Sequence, residues 1–211
     1  ENLGYPYHYF VPAFKNGHSN SWGLVIFSKL PILRGKAIPI HDKKNKMNGC
    51  IEAIIKHKGR KLRILNAHLQ SLHLDYEDYS YVQNVKREWK MWEFDKTMPL
   101  FRKLINAYVE RENQINRIKK YTESSEDERM ILCADMNDIP NSYAYTAISR
   151  NLKDAFVEKG RGFSNTTGFA AGFFRIDYIF ASKDFEVLEY KRIRTKLSDH
   201  HPIYATLLES P

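Results

Sequence analysis

Apolar residues in the first third of the chain follow the patterns of β-strands. Strands are predicted over residues 7–11, 22–28, 50–56 and 61–69. In the third of these segments apolar and polar residues alternate, which is typical of a strand with one buried face. A short turn containing Gly59 joins the last two segments and predicts a hairpin.

The pattern becomes helical between residues 79 and 121, where the chain contains no glycine and a single proline. Apolar residues recur there at steps of three and four, which predicts two helices. Thr97 is expected to cap the second helix, with Pro99 tolerated in its first turn. The first helix is defined by Val82, Val85, Trp89 and Trp92, and its two tryptophans are expected to pack in the core.

The last third returns to strands, with one further short helix. Strands are predicted over 129–135, 173–181, 185–191 and 202–209, and a helix is predicted to follow Ser142. No repeat or internal linker divides the sequence, so residues 1–211 are predicted to form one domain. Strands, then helices, then strands are typical of a layered α/β sandwich.

Composition and charge narrow the class of protein. The chain is 43% hydrophobic and 27% charged, as in folded globular proteins, and its formal net charge is +8. The positive charge favours anionic partners such as nucleic acid, phosphorylated small molecules or anionic lipid, although many soluble proteins are equally basic without one. Cys50 and Cys133 provide no disulfide framework, and Cys133 is expected to be a buried free thiol. No apolar run approaches the roughly 20 residues of a membrane span.

Four polar clusters follow or interrupt strand-like runs. They are NAH (66–68), CADMND (133–138), RIDYIF (175–180) and SDHHP (198–202). Strand ends are where a sheet protein places side chains that face a cleft instead of the core. Together, the carboxylates, amides and imidazoles of these clusters can bind a divalent cation and hydrolyse a phosphoester.

Each cluster taken alone has a simpler interpretation. Asp177 interrupts an apolar run and therefore needs a partner, either a histidine or a basic residue such as Arg175. Asp135 and Asn137 share one side if the backbone stays extended, but a strand that ends in a turn is the alternative. His68 alone would be interpreted as a structural histidine.

In this order, the four clusters resemble those of the endonuclease/exonuclease/phosphatase superfamily of metal-dependent phosphoesterases. WGLVIFSKLPI (22–32) and the continuation of the second cluster through IPNSYAY (139–145) add to the resemblance. The resemblance covers nearly the whole chain and is strongest to an uncharacterised bacterial branch of the superfamily. The resemblance implies a four-layer α/β/β/α sandwich, with two mostly antiparallel mixed sheets packed face to face and helices outside.

The resemblance also implies catalytic roles. Asp177 and His200 would form an Asp–His pair at the scissile phosphate. Asp135 would orient the attacking water, with Asn137 beside it.

Phosphate and metal contacts follow in the same way. His68 would contact the phosphate or the leaving oxygen, supported by Asn66 as a substrate-binding residue, and Asp199 would help to hold Mg²⁺ or Mn²⁺. Family members carry a further glutamate ligand on an earlier strand, which would lie upstream of Glu1. The first strand or strands of the fold are therefore expected to be missing from this sequence.

Several hypotheses about function stay open at this point. The first is a divalent-metal-dependent phosphoester hydrolase, as a phosphodiesterase or nuclease, that works as a monomer. The alternative is a non-catalytic or weakly active binder of nucleic acid or of a phosphorylated ligand. An upstream segment could anchor the protein to a membrane, so cytoplasmic and membrane-anchored locations are both compatible with the sequence.

Overall fold

The computed structural model describes residues 4–16, 20–41, 48–72, 78, 80, 94–123, 129–167 and 174–210. Along the chain they form β1 (Tyr7–Asn16), β2 (Asn20–Ser28), β3 (Ile32–Ile38), β4 (Gly49–His57), β5 (Arg60–His68), α1 (Phe94–Glu123), β6 (Arg129–Asp135), α2 (Tyr143–Ser149), β7 (Lys153–Asp154), α3 (Ala155–Lys159), β8 (Asp177–Ala181), β9 (Phe185–Arg192) and β10 (Ile203–Glu209).

A six-stranded sheet forms the centre of the fold, in the order β3-β4-β5-β6-β8-β7. β5 and β6 run parallel, and their neighbours pair antiparallel. The parallel connection is possible because α1 crosses between the ends of the two strands. No helix among the described residues is long and apolar enough to span a bilayer.

Two smaller sheets, β1-β2 and β10-β9, pack on one face of the central sheet. Ile26 of β2 packs with Ile51 and Ala53 of β4. Val187 of β9 packs with Ile179 of β8. The two small sheets therefore cover different strands on the same side, since these residues alternate with those that face the helices.

Helices α1 and α2 cover the opposite face. Ile115 and Ile118 of α1 are buried in one apolar cluster with Leu65, Leu132 and Phe180 of the central sheet. Helices, a mixed sheet and a second layer of strands confirm the predicted α/β sandwich, and the described residues supply these three layers.

Most predicted strands are confirmed, and β6 matches its prediction at both ends. β3 was not predicted, because Arg34, Gly35 and Lys36 interrupt its apolar pattern. Gly35 permits a close approach, since a Cβ at this position would lie 2.3 Å from the ring of Tyr9. The predicted strand at 173–181 is shorter, and β8 begins at Asp177.

The helical region differs more from its prediction. α1 begins at Phe94, so the prediction of Thr97 as its N-cap was wrong. Pro99 lies inside the helix, where its missing N–H removes one intrahelical hydrogen bond. The first predicted helix, with its two tryptophans, falls on residues outside the described part of the chain. The short helix predicted to follow Ser142 is confirmed as α2, which Ser142 caps by accepting a hydrogen bond from the Tyr145 N–H.

Candidate active site

Strand register places three of the predicted side chains in one row. His68 on β5 pairs with Asp135 on β6, and Asp135 pairs with Asp177 on β8. Alternation along β5 and β8 puts these residues on the same face as Ile64 and Ile179, which is the face covered by the small sheets. Three neighbouring strands therefore deliver the row to one end of the space between the sheets.

His200 lies beside the row, and its backbone forms an isolated antiparallel β-bridge with Thr167. Its Nδ1 lies 2.9 Å from Asp177 Oδ2. This hydrogen bond, together with the charges of the surrounding carboxylates, raises the pKa of His200 to about 9 against the opposing effect of burial. The imidazole is therefore cationic at neutral pH in the absence of a metal.

Arg175, the alternative partner considered for Asp177, lies elsewhere. Its Nη1 donates to Asp154 Oδ2 at 2.6 Å, and both side chains are buried. Asp154 also caps α3 by accepting from the Phe156 N–H at 2.9 Å. Arg175 thus neutralises a structural carboxylate and leaves Asp177 to the histidine.

Asp135 occupies the centre of the row. Its Oδ2 lies 3.7 Å from His68 Nε2, and its Oδ1 accepts from the Asn137 backbone N–H at 2.9 Å. Burial, reinforced by the nearby charge of Asp177, raises the pKa of Asp135. A carboxylate with a raised pKa is better suited to accept a proton than an exposed aspartate.

A cation could be held by Asp135, Asp177 and His200, whose ligand atoms lie within 4.8 Å of one another. The two carboxylates supply oxygen donors, and the imidazole is a further donor only when it is not protonated. Carboxylate oxygens suit Mg²⁺ or Mn²⁺, which complete their coordination with water and substrate oxygens.

Asn137 and Asn66 are used partly for structure. β6 ends at Asp135, and Asn137 adopts a φ of 49°, so the backbone does not stay extended as the same-side prediction required. Asparagine tolerates this left-handed conformation better than most residues. The Asn137 amide donates to the Leu69 carbonyl at 3.1 Å, and the Asn66 amide donates to the Val25 carbonyl at 3.1 Å.

Asp199 lies on the exposed turn before His200. Its Oδ1 accepts from the Ser198 hydroxyl at 3.2 Å, and the same hydroxyl oxygen accepts from the His200 N–H at 3.1 Å. Asp199 is not part of the three-residue group described above. Its predicted role as a metal ligand stays a prediction.

Thr166 supports the Asp–His pair, and nothing in the sequence singled it out. It is fully buried, and its hydroxyl oxygen accepts from the backbone N–H groups of Ile176 and Asp177 at 3.1 Å each. Its carbonyl accepts from the His201 N–H at 2.7 Å. One residue therefore fixes both segments that carry the pair.

A second buried network fixes the loops after β5 and β6. Arg111 of α1 donates from Nε to Asp138 Oδ2 at 3.1 Å and from Nη1 to the Gln70 carbonyl at 3.0 Å. Gln114, one turn further along α1, accepts from the Gln70 N–H at 2.8 Å. The sequence signal for this network was the spacing of Arg111 and Gln114, two polar residues three positions apart that lie on the buried side of α1.

The model of the Endonuclease/Exonuclease/phosphatase family matches residues 1–200 of the chain. The chain belongs to this family. Members of the Endonuclease/Exonuclease/phosphatase family are hydrolases that act on phosphoesters. No curated protein matches the sequence closely.

Solved structures of the family share the fold. An endonuclease/exonuclease/phosphatase from Bacteroides vulgatus is 18% identical, with a TM-score of 0.68 over 99% of this chain and 78% of that one. A mannosyl-6-phosphatase from Bacteroides thetaiotaomicron is 17% identical, with a TM-score of 0.64 over 98% of this chain and 78% of that one. The human Nocturnin catalytic domain, with a bound sulfate anion, is 16% identical, with a TM-score of 0.62 over 97% and 74%.

Proposed function

We propose that this member of the family is a Mg²⁺- or Mn²⁺-dependent phosphoester hydrolase, most specifically a phosphodiesterase or nuclease. The observation that carries the proposal is the contact of 2.9 Å between Asp177 and His200, with Asp135 beside it in the row formed by β5, β6 and β8. Burying two carboxylates beside each other is unfavourable for folding. Their placement together with a histidine is therefore better explained by function than by stability.

The residues of the row have complementary chemistry. His200, held cationic by Asp177, offers a positive charge and an N–H to a phosphoryl oxygen as negative charge develops on it. Asp135, whose pKa is raised, is suited to orient a water molecule and accept its proton. When bound, a divalent cation would polarise the phosphoryl group and offset its charge.

His68 lies on the far side of Asp135 from Asp177. This position supports a role for His68 in contacting the leaving oxygen or a second phosphoryl oxygen. The net charge of +8 favours an anionic substrate, and nucleic acid is one such substrate.

The test is Mg²⁺- and Mn²⁺-dependent hydrolysis of an aryl phosphodiester and of plasmid DNA. We expect His200→Ala to lower kcat by a factor on the order of 10² or more, since a positioned acid–base group contributes about that much. His201→Gln is the matched control, because it removes the neighbouring imidazole and leaves the Asp177 contact in place. Activity that survives His200→Ala, or that needs no divalent cation, would contradict the proposal.

Separate substrates would refine the result. Cleavage of DNA as well as the aryl diester would support a nuclease, and cleavage of the aryl diester alone would support a small-molecule phosphodiesterase. A folded protein with no activity on either, combined with no Mn²⁺ binding by calorimetry, would favour the non-catalytic binder.

A further inference from the structure

Helix α1 exposes apolar side chains along its first half. Four large residues at helical spacing are each between 46% and 54% exposed: Phe101, Ile105, Tyr108 and Val109. Residues at positions i, i+4, i+7 and i+8 lie on one side of a helix, so these side chains form a continuous surface. These four residues are called the apolar stripe below.

The apolar stripe is separate from the side of α1 that packs on the protein. Within the part of the chain that the structure describes, α1 contributes Ile115 and Ile118 to the fully buried apolar clusters. Ala107, Arg111 and Gln114 are also buried and lie on that same side, roughly a third of a turn from the stripe. Helices in proteins are stabilised mainly by packing of their apolar faces, so the exposed stripe is a candidate contact surface.

The apolar stripe is attached to the network behind the candidate active site. The Tyr108 ring lies 4.5 Å from the Arg111 guanidinium. Arg111 in turn donates to Asp138 and to the Gln70 carbonyl, which lie in the loops after β6 and β5. The stripe therefore lies on the part of α1 that precedes this network, at the catalytic end of the central sheet.

Residues of opposite charge lie at the two ends of the stripe. Arg102 and Glu112 are both exposed. Together with Ile105 and Val109 they follow steps of three, four and three residues, which is the spacing of positions that face a partner helix. Along α1 this line of residues therefore runs cation, apolar, apolar, anion.

We infer that α1 pairs antiparallel with α1 of a second copy of this chain, across a two-fold axis at the level of residue 107. Such an axis places Ile105 opposite Val109 of the partner subunit, and Arg102 opposite Glu112 of the partner subunit. Each contact occurs twice, because a two-fold interface uses the same surface of both copies. A parallel pair would instead bring like charges together at both ends.

This inference differs from the monomer expected from the sequence, and it does not depend on the proposed function. Other occupants match the charges of the stripe less well. Amphipathic helices that bind anionic lipid carry Lys and Arg along their polar face, whereas one end of this stripe is anionic. Nucleic acid would be repelled by Glu112 in the same way. A second copy satisfies both the cation and the anion.

The size of the stripe predicts a weak dimer. A large side chain buries roughly 150–250 Å² when fully enclosed, so four side chains that are about half exposed can bury on the order of 400 Å². Two stripes would bury on the order of 800 Å², which is less than the roughly 1,200–2,000 Å² of stable interfaces. We therefore expect a reversible dimer with a Kd on the order of 10 µM.

Sedimentation velocity over a range of protein concentrations tests for this dimer. We expect Ile105→Glu to weaken association by at least about tenfold, because it places two carboxylates at the centre of the apolar contact. Asn106→Glu is the matched control, since it adds the same charge at the next exposed position, which points away from the line of contact, and it should leave the Kd unchanged. A wild-type chain that stays monomeric at about 1 mM, or a dimer that Ile105→Glu does not weaken, would overturn the inference.

Charge reversal tests the antiparallel arrangement. Arg102→Glu and Glu112→Arg should each weaken the homodimer about fivefold, because each change places like charges together twice. A mixture of the two variant chains should recover the wild-type Kd, since opposite charges then meet at both ends of the heterodimer. Single variants with an unchanged Kd, or a mixture that associates no better than either variant alone, would overturn the pairing of Arg102 with Glu112.

Two measurements separate a second copy from other occupants of the stripe. The urea midpoint of monomeric Ile105→Glu should equal that of the monomeric wild type, and a lower midpoint would mean that the stripe packs within its own chain. Flotation with vesicles of phosphatidylcholine and phosphatidylserine should recover no wild-type protein. Recovery that is lost in Ile105→Glu would assign the stripe to a lipid surface and overturn the dimer.

Discussion

Arg111→Met tests whether the buried network behind the site holds its loops in place. Arg111 and Asp138 are 2% and 4% exposed, and the guanidinium also holds the Gln70 carbonyl. Removing one partner of a buried ion pair costs about 3–5 kcal/mol, because the remaining charge is left without compensation. We expect a loss of this size in the free energy of unfolding, measured by urea denaturation.

The loss should depend on pH. Burial raises the pKa of Asp138 even with Arg111 beside it, and removing Arg111 raises that pKa further. A carboxyl group whose pKa is higher in the folded than in the unfolded protein favours folding as pH falls and disfavours it as pH rises. The stability difference between Arg111→Met and wild type should therefore shrink towards acidic pH.

Controls separate this pair from the general effect of losing an arginine. Arg102→Met removes an exposed arginine from the same helix and should cost under about 0.5 kcal/mol. Asp138→Asn combined with Arg111→Met should cost less than the sum of the two single changes, because the buried charge is gone. A loss below about 1 kcal/mol in Arg111→Met, or strict additivity in the double variant, would refute the reasoning.

Three further predictions concern single groups. Without metal, Asp177→Asn should bring the pKa of His200 from about 9 back towards 6.5 in an NMR titration. It should also remove the stability that the Asp177–His200 pair contributes below pH 6.5 and loses as pH rises through 9. An unchanged pKa would mean that another group stabilises the protonated imidazole. Tyr178→Phe removes a buried hydroxyl that lies 2.8 Å from each of two backbone carbonyl oxygens and donates its one hydrogen to either of them, and should cost about 1–3 kcal/mol in thermal or urea unfolding, with no loss as the contradicting result. Cys133 is partly buried, not fully buried as expected, and desolvation raises the pKa of its thiol to about 11. It should therefore react with a disulfide reagent more slowly in the native protein than in urea, and equal rates would contradict the raised pKa.

The sequence contained enough information for most strands and for the side chains that the structure brings together in the row. β6 and β8 have apolar runs that end or begin at a carboxylate, and both runs lie inside the sheet as predicted. The prediction failed where apolar periodicity is interrupted, as in β3. Gly35 of β3 leaves room for the ring of Tyr9, which belongs to another sheet. That requirement comes from a tertiary contact and leaves no local pattern.

Partners within the site were harder to predict than its members. Arg175 and His200 were both chemically reasonable partners for Asp177, and the choice depends on Asp154, which lies near Arg175 only in the folded chain. Thr166 stood in an unremarkable polar segment and could not be found from spacing. Buried hydrogen-bond networks are set by the three-dimensional neighbourhood, so sequence alone gives their candidates and not their pairings.

The parallel pairing of β5 with β6 has a consequence for how the candidate active site is assembled during folding. His68 and Asp135 face each other only after β6, which begins at Arg129, has docked beside a strand that ends at residue 68, with α1 folded between them. Such long-range pairings form late, because the intervening chain must first lose its freedom. A shift of one residue in this pairing would turn Asp135 to the helical face. Recovery of hydrolytic activity after refolding should therefore lag behind recovery of helical content. A protein trapped in the shifted register would be compact but inactive.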